Sequence, residues 1–267
     1  MIRAFYIAVL LALISGGPAI AEPTARRVVS LDYCADQFLL KMLPASRILA
    51  VSPDADKAFS YMRRQATGVS TVRPLAEDVL SLGPDLVVRS YGGGPRIASL
   101  LHRAGIDVLQ LPYAENLADI RAAILTVADV LGVPERGVEM LAEFDRRLAA
   151  LAIDDKPRKV LYMTPTGVTS GPGTLVHEML LAAGLQNFET RAGWRSLPLE
   201  RLAYEQPDLV AAAFFDIDTI RPALWSPMRH PVAGRQLAER PVVMLQGAWT
   251  SCGAWFLLDA VEALAAK

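Results

Sequence analysis

The sequence predicts an α/β protein of two similar lobes, each built on a mostly parallel sheet, with one long helix between them. In both halves of the chain, short apolar strand-like runs alternate with helical patterns, which is typical of parallel sheets covered by helices. One motif occurs once in each half. The stretch between the halves, 116–152, has helical spacing and no strand pattern. Together these observations favour two matched lobes.

The repeated motif is a glutamate followed, after six intervening residues, by Pro-Asp-Leu-Val, and its copies begin at Glu77 and Glu200. Each copy predicts a short helix that starts near the glutamate, a Pro-Asp turn and an apolar strand, at 86–89 and at 209–214. Chance recurrence is the alternative, because Pro-Asp before a strand is ordinary turn chemistry. The identical spacing in both copies favours two lobes of the same design.

Each half is organised around several short strands. The predicted strands lie at 28–31, 48–51, 86–89, 107–111, 160–163, 209–214 and 242–245. Two predicted helices end at Gly105 and Gly184, because glycine suits the left-handed position after a helix. A short helix at 57–64, a loop at 164–173 and an irregular stretch at 222–239 complete the predicted pattern.

The central stretch connects the two halves. Gly132 and Pro134 separate its two predicted helices. The second helix is predicted over 135–152, a length of about 27 Å at the usual rise per residue. We therefore expect an N-terminal lobe at 22–114, a helical linker at 115–155 and a C-terminal lobe at 156–267, with the long helix acting as a strut.

Residues 1–21 predict a secretion signal rather than part of the fold. Arg3 gives a positively charged start, and the apolar run 4–14 is too short to span a membrane. Small residues around Ala21 suit cleavage directly after it, and no cysteine follows that could carry a lipid anchor. The mature protein is therefore expected outside the cytoplasm.

Charge and composition set some classes of function aside. The chain has 27 Lys and Arg residues against 28 Asp and Glu residues and contains no basic run, which argues against nucleic-acid binding. Apolar residues make up 52% of the chain, which is enough to form a packed core.

The signal, the joining helix and the duplicated motif together resemble the periplasmic substrate-binding proteins of cobalamin, haem and iron-siderophore ABC importers. The resemblance runs from Arg27 to Lys267, and its most specific parts are the segment 27–31 and the motifs that begin at Glu77 and Glu200. It implies two Rossmann-like lobes with a ligand cleft between them, a periplasmic location, a monomer, and no catalysis, cofactor or resident metal. It also implies that Glu77 and Glu200 dock on arginines of an inner-membrane permease.

The loops after the strands are expected to line the cleft, because ligands bind beyond the carboxyl ends of parallel strands. Aromatic residues cluster in these loops and would hold a large flat chelate: Tyr33, Tyr61, Tyr91, Trp194, Phe215 and Trp249. Packing within the loops is the alternative for each. Gly92 is expected to offer backbone amides to an anion, and Arg195 to pair with a ligand carboxylate or phosphate. A simple turn and a solvated arginine are the alternatives.

Cys34 and Cys252 fall at strand-to-helix turns, one in each half, and both are candidates for contact with the ligand. They could be free and buried, paired with each other, or ligands of a soft metal or haem iron. A disulfide across the cleft would hinder its opening, and the cobalamin-binding relatives have no disulfide at this pair of positions.

The expected ligand is a metal chelate: cobalamin or a related corrinoid first, a ferric siderophore second and haem third. The lack of several cleft arginines argues against highly anionic siderophores. The alternative from another class is a secreted cysteine- or metal-dependent hydrolase that would use Cys34, Cys252 and His230. The strut predicts only a modest change in lobe spacing when a ligand binds.

Overall fold

The structure, a computed structural model, describes residues 27–153, 156–214 and 226–267. The predicted secretion signal at 1–21 and its cleavage point lie outside the described residues. Within the described ranges, no helix combines the length and the apolar character that a membrane crossing requires.

Two four-stranded parallel sheets confirm the predicted fold class, one in each half of the chain. The strands are β1 (Val28–Ser30), β2 (Ile48–Ala50), β3 (Leu86–Arg89), β4 (Asp107–Gln110), β5 (Lys159–Met163), β6 (Val168–Ser170), β7 (Gln186–Asn187), β8 (Trp194–Ser196), β9 (Leu209–Ala212) and β10 (Val242–Met244). The N-terminal sheet has the order β2-β1-β3-β4 and the C-terminal sheet β10-β9-β5-β7. β6 and β8 form a separate antiparallel pair.

Helices cover both sheets and connect them. They are α1 (Tyr33–Met42), α2 (Ala76–Leu82), α3 (Ile97–Arg103), α4 (Leu117–Val130), α5 (Pro134–Ala149), α6 (Leu175–Ala182), α7 (Leu199–Tyr204), α8 (Pro231–Glu239), α9 (Gly247–Thr250) and α10 (Leu257–Ala265).

The aspartate of the duplicated motif has the same role in both lobes. Asp85 Oδ2 accepts a hydrogen bond from the backbone N–H of Arg27 at 2.7 Å, and Asp208 Oδ2 accepts one from that of Lys159 at 2.7 Å. In return, the backbone N–H groups of the two aspartates donate to the carbonyl oxygens of Arg27 and Lys159. Each aspartate therefore fixes the register at which its own strand, β3 or β9, starts beside the neighbouring β1 or β5.

The two lobes share one hydrophobic core. On one face of each sheet, side chains such as Val87 and Leu161 pack in a layer that belongs to a single lobe. On the other face, side chains such as Val88 and Val160 join one cluster that also contains residues of α1, α4, α5, α6 and α10. The apolar contact between the lobes is thus continuous with the interior of each lobe.

The predicted strut is present as α5, although it starts one residue earlier and ends three residues earlier than the predicted 135–152. Pro134 occupies its first turn, where a missing N–H costs nothing. Near its other end, the Arg147 guanidinium donates to Asp259 at 2.6 Å and to Glu262 at 2.7 and 2.8 Å, both on α10. The strut is therefore ion-paired to the last helix of the C-terminal lobe.

Some local predictions were wrong. The stretch predicted to be irregular contains α8, which begins at Pro231 and is capped by His230, whose Nδ1 accepts the Val232 N–H at 3.2 Å. The predicted loop 164–173 contains β6, whose partner β8 comes later in the chain. The helix predicted at 57–64 is instead a series of turns.

Candidate ligand cavity

A cavity of about 330 Å³ lies between the two lobes, beyond the carboxyl ends of both parallel sheets. Residues that follow β1, β3 and β4 form its N-terminal wall. Residues of β5, α6, β8 and the segment 250–253 form its C-terminal wall. The cavity is therefore at the position where open α/β sheets bind ligands.

Tyr33 and Tyr91 form the aromatic part of the N-terminal wall, as the sequence predicted. Their rings meet edge to face with centroids 5.8 Å apart, and Phe59 supports the Tyr33 ring at 4.9 Å. The Tyr33 hydroxyl donates to the carbonyl oxygen of Ser251, on the opposite lobe, at 3.2 Å. This wall is thus held in place by contacts within its own lobe and across the cavity.

One buried carboxylate, that of Asp32, positions the turn that carries Tyr91. Asp32 Oδ2 accepts the backbone N–H groups of Ser90, Tyr91 and Gly92 at 2.6, 3.0 and 2.9 Å, and its Oδ1 caps α1. The amides expected to hold a ligand anion at Gly92 are therefore already occupied. A side chain at Gly92 would also clash, since its Cβ would lie 2.2 Å from the Leu31 carbonyl oxygen.

The C-terminal wall carries Tyr162 on β5 and Trp194 on β8. Their ring centroids are 6.1 Å apart, with Tyr162 only 3% exposed and Trp194 53% exposed at the rim. Trp194 was predicted from sequence, whereas Tyr162 was not, because it lies within an apolar strand run that is typical of core. Tyr113, 79% exposed at the opposite rim, was also missed, although it closely follows the predicted strand 107–111.

The two cysteines are joined in a disulfide between the lobes, with Cα atoms 5.7 Å apart. Both line the cavity, Cys34 from the start of α1 and Cys252 from the segment after α9. Of the three alternatives left open by the sequence, pairing is the one observed, and no free cysteine remains. The expectation that a disulfide would be disfavoured here was wrong, because the turns carrying the cysteines meet at the base of the cavity.

Tyr61 was expected in the cleft but lies outside the cavity. Its ring stacks on Phe256 with centroids 4.6 Å apart, and its hydroxyl donates to Asp259 Oδ2 at 2.9 Å. Burial and the Asp259 carboxylate raise the pKa of Tyr61 to about 12. The residue thus connects the lobes on another side of the shared core.

Two further candidates, Arg195 and Trp249, are not among the cavity-lining residues, and a third lies outside the described ranges. Arg195 is exposed on β8, where its guanidinium makes a long 3.4 Å hydrogen bond to the carbonyl oxygen of Ala192. Trp249 packs half-buried against the shared core. Phe215 lies outside the described residues.

The cavity is apolar and uncharged over the residues that the structure describes. No Asp, Glu, Lys, Arg or His side chain lines it in these ranges. Burial raises the pKa of the Tyr33, Tyr91 and Tyr162 hydroxyls, so each stays protonated. The walls therefore present aromatic faces and neutral hydroxyl groups to a ligand.

The geometry does not support the hydrolase alternative. Cys34 and Cys252 have no thiol to act as a nucleophile or as a metal ligand, because both sulfur atoms are in the disulfide. His230 caps α8 and does not line the cavity. Across the described ranges, no three His, Cys, Asp or Glu side chains are grouped to hold a metal ion.

Glu77 and Glu200 are exposed in the first turns of α2 and α7. Each of these helices leads back to a parallel strand, so it begins at the carboxyl edge of its sheet, the edge that the cavity also borders. Arginines share the surface grooves of both glutamates: Arg96 and Arg103 beside Glu77, and Arg191 and Arg201 beside Glu200.

Comparison with known proteins agrees with the fold. Residues 28–214 match the family model of the periplasmic binding proteins, and the chain belongs to this family. The class is therefore that of periplasmic substrate-binding proteins, as the resemblance inferred from the sequence implied. No curated protein matches the chain.

Several solved structures share the fold over nearly the whole chain. One is the periplasmic haem-binding protein HutB of Vibrio cholerae, with 17% identity, a TM-score of 0.74 and coverage of 91% of this chain and 98% of that one. The periplasmic haem-binding protein RhuT of Roseiflexus sp. RS-1 has 20% identity, a TM-score of 0.71 and coverage of 91% and 97%. The periplasmic vitamin B12-binding protein BtuF of Vibrio cholerae has 20% identity, a TM-score of 0.62 and coverage of 91% and 96%.

Proposed function

We propose that this protein is the substrate-binding component of an ABC importer and that it captures a metal chelate between its lobes for delivery to an inner-membrane permease. The observation that carries the proposal is the aromatic, uncharged cavity at the carboxyl ends of both sheets. The protein binds and releases its ligand without turnover. It is exported by the signal at 1–21, cleaved after Ala21, and works as a monomer.

A corrinoid such as cobalamin is the first candidate ligand. Its macrocycle presents apolar faces to aromatic rings and uncharged carboxamides to hydroxyl groups, which suits a wall of neutral tyrosines. A ferric siderophore is second and haem is third, because an anionic ligand would lack a cation among the described lining residues. The similar folds include proteins named for haem binding and for vitamin B12 binding, so both macrocycles belong in the test.

The test is a ligand titration of the mature, disulfide-bonded protein with cyanocobalamin, haemin and ferrichrome. We expect cyanocobalamin to quench tryptophan fluorescence and, at about 100 times its Kd, to raise Tm by about 5–10 °C. Trp194→Phe should remove most of the quenching, whereas Trp249→Phe should retain it. Binding of none of the three chelates, or their chemical conversion, would contradict the proposal.

Glu77 and Glu200 are proposed as the contacts with the permease. One carboxylate on each lobe gives a pair of anchors for matching cations, and exposed charges of this kind set the rate and orientation of docking. Arg96 and Arg103, in the groove of Glu77, suit carboxylates on the same partner, whereas Arg191 and Arg201 are paired with Glu189 and Glu205 of this chain.

Replacing either glutamate by alanine should lower chelate uptake into cells about tenfold while the Kd of the purified protein for the chelate is unchanged. Uptake of the labelled chelate checks the first result, and fluorescence titration the second. Glu239→Ala, at the exposed end of α8, is the matched control. Equal uptake by all three variants and the wild type would refute the docking assignment.

A further inference from the structure

Tyr162 is a buried cavity residue whose hydroxyl group the fold leaves without a partner. Strand alternation places Val160 and Tyr162 on the face of β5 that joins the shared core, while Leu161 and Met163 face the layer of the C-terminal lobe. The Tyr162 side chain is 3% exposed, yet it lines the cavity beneath the rim formed by Trp194.

Two other tyrosine hydroxyls near the lobe interface are already engaged. Tyr33 donates to the Ser251 carbonyl oxygen at 3.2 Å, and Tyr61 donates to Asp259 at 2.9 Å. Among the described residues, the Tyr162 hydroxyl has no hydrogen-bond partner, and burial alone accounts for its raised pKa. The buried Oγ1 of Thr250, also on the C-terminal wall, likewise has no partner in the described ranges.

A buried hydroxyl without a partner, such as the Oγ1 of Thr250, is unfavourable in a native protein, whereas the Tyr162 hydroxyl is open to the cavity and available to a ligand. In a cavity that binds a ligand, the missing partner can be the ligand itself. The C-terminal wall therefore offers hydroxyl groups that no described residue engages, whereas the Tyr33 hydroxyl of the N-terminal wall is already in use.

We propose that the hydroxyl group of Tyr162 hydrogen-bonds the polar edge of the bound ligand and so determines which edge of the macrocycle faces the C-terminal lobe. This inference rests on the proposed function. The matching chemistry on the ligand is an uncharged donor or acceptor such as a carboxamide, because no charged side chain accompanies Tyr162 among the described lining residues.

The test is Tyr162→Phe, which removes one oxygen atom and keeps the ring. We expect the Kd for cyanocobalamin to rise about 3- to 10-fold, the range for loss of one net hydrogen bond. The Tm of the ligand-free variant should be close to that of the wild type, because the hydroxyl has no protein partner to lose. Tyr204→Phe, at a 91% exposed position on α7, is the matched control for both measurements.

The outcomes separate this inference from the proposed function. A wild type that binds cyanocobalamin and a Tyr162→Phe variant that binds it equally well would overturn the role of Tyr162 and leave the function intact. A lower Tm of the ligand-free variant would show that the hydroxyl has a structural partner, which also overturns the inference. A wild type that binds only haemin or ferrichrome would retain the transport function and refute the carboxamide contact.

Discussion

At the residue scale, Asp36 is an ionisable side chain enclosed in the N-terminal lobe. It lies on α1 with no exposed surface, and its carboxylate accepts hydrogen bonds from the Ser52 backbone N–H at 2.9 Å and the Ser52 hydroxyl at 2.6 Å. Burial raises the pKa of Asp36 to about 6, against the lowering effect of these hydrogen bonds. The native state therefore holds this proton more tightly than the unfolded chain does.

Because the folded pKa is raised, the free energy of unfolding should fall as pH increases from about 4 to 6 and stay lower above that range. Asp36→Asn should remove this dependence, because the amide does not titrate. Urea unfolding at several pH values measures the effect. Asp56→Asn, which removes an exposed carboxylate, is the control, and an equal pH dependence of wild type and Asp36→Asn would contradict the prediction.

The positions of single residues relative to the cavity were only partly predictable from sequence. Tyr33 and Tyr91 follow β1 and β3, as the strand-end rule requires, whereas Trp194 reaches the cavity from β8, an antiparallel strand that the sequence did not predict. Tyr61 lies in a series of turns and Trp249 on the short helix α9, and the rule does not say whether such a side chain points to the cavity or to the shared core. That direction depends on tertiary contacts such as the stacking of Tyr61 on Phe256.

At the element scale, the motif aspartates Asp85 and Asp208 each fix the register between two neighbouring parallel strands. Asp85→Ala and Asp208→Ala should each lower the free energy of unfolding by about 1 kcal/mol, since each leaves one strand N–H without its carboxylate acceptor. The two costs should add in the double variant because the sites lie in different lobes. Denaturant midpoints measure all three variants, and a cost in only one lobe would disprove a common role.

Helices and strands could be predicted from the sequence where neighbouring residues determine where they begin and end. The duplicated motif, the parallel strands and the strut all have short-range signals, such as Pro134 at the start of α5. The antiparallel pair of β6 and β8 has none, because its register joins Thr169 to Arg195 across a long intervening segment. α8 was missed because the prolines of the stretch 222–239 were interpreted as helix breakers, whereas Pro231 is in the first turn of α8, where proline is tolerated.

At the scale of the whole molecule, the lobes are fixed to each other by more than the strut. The disulfide, the shared core and hydrogen bonds from Tyr33 and Tyr61 to the opposite lobe all cross the interface. Ser251 adds another, from its hydroxyl to the Phe59 carbonyl oxygen at 3.0 Å. Ligand binding should therefore change the lobe spacing very little.

The double variant Cys34→Ser/Cys252→Ser should have a free energy of unfolding about 2–5 kcal/mol lower than that of the wild type, because the disulfide constrains a long segment of the unfolded chain. Small-angle scattering should show no measurable change in the radius of gyration when the oxidised wild type binds ligand, and a larger change in the double variant. A clear contraction of the oxidised protein would contradict the rigid-lobe prediction.

The cystine also has a consequence for the covalent integrity of the molecule. It joins positions 218 residues apart, so it closes most of the described chain into a ring. A protease that cuts one peptide bond inside that ring opens a loop but releases no fragment. A nicked molecule would therefore migrate as a single species until a reductant is added, and its two halves would stay together in the periplasm.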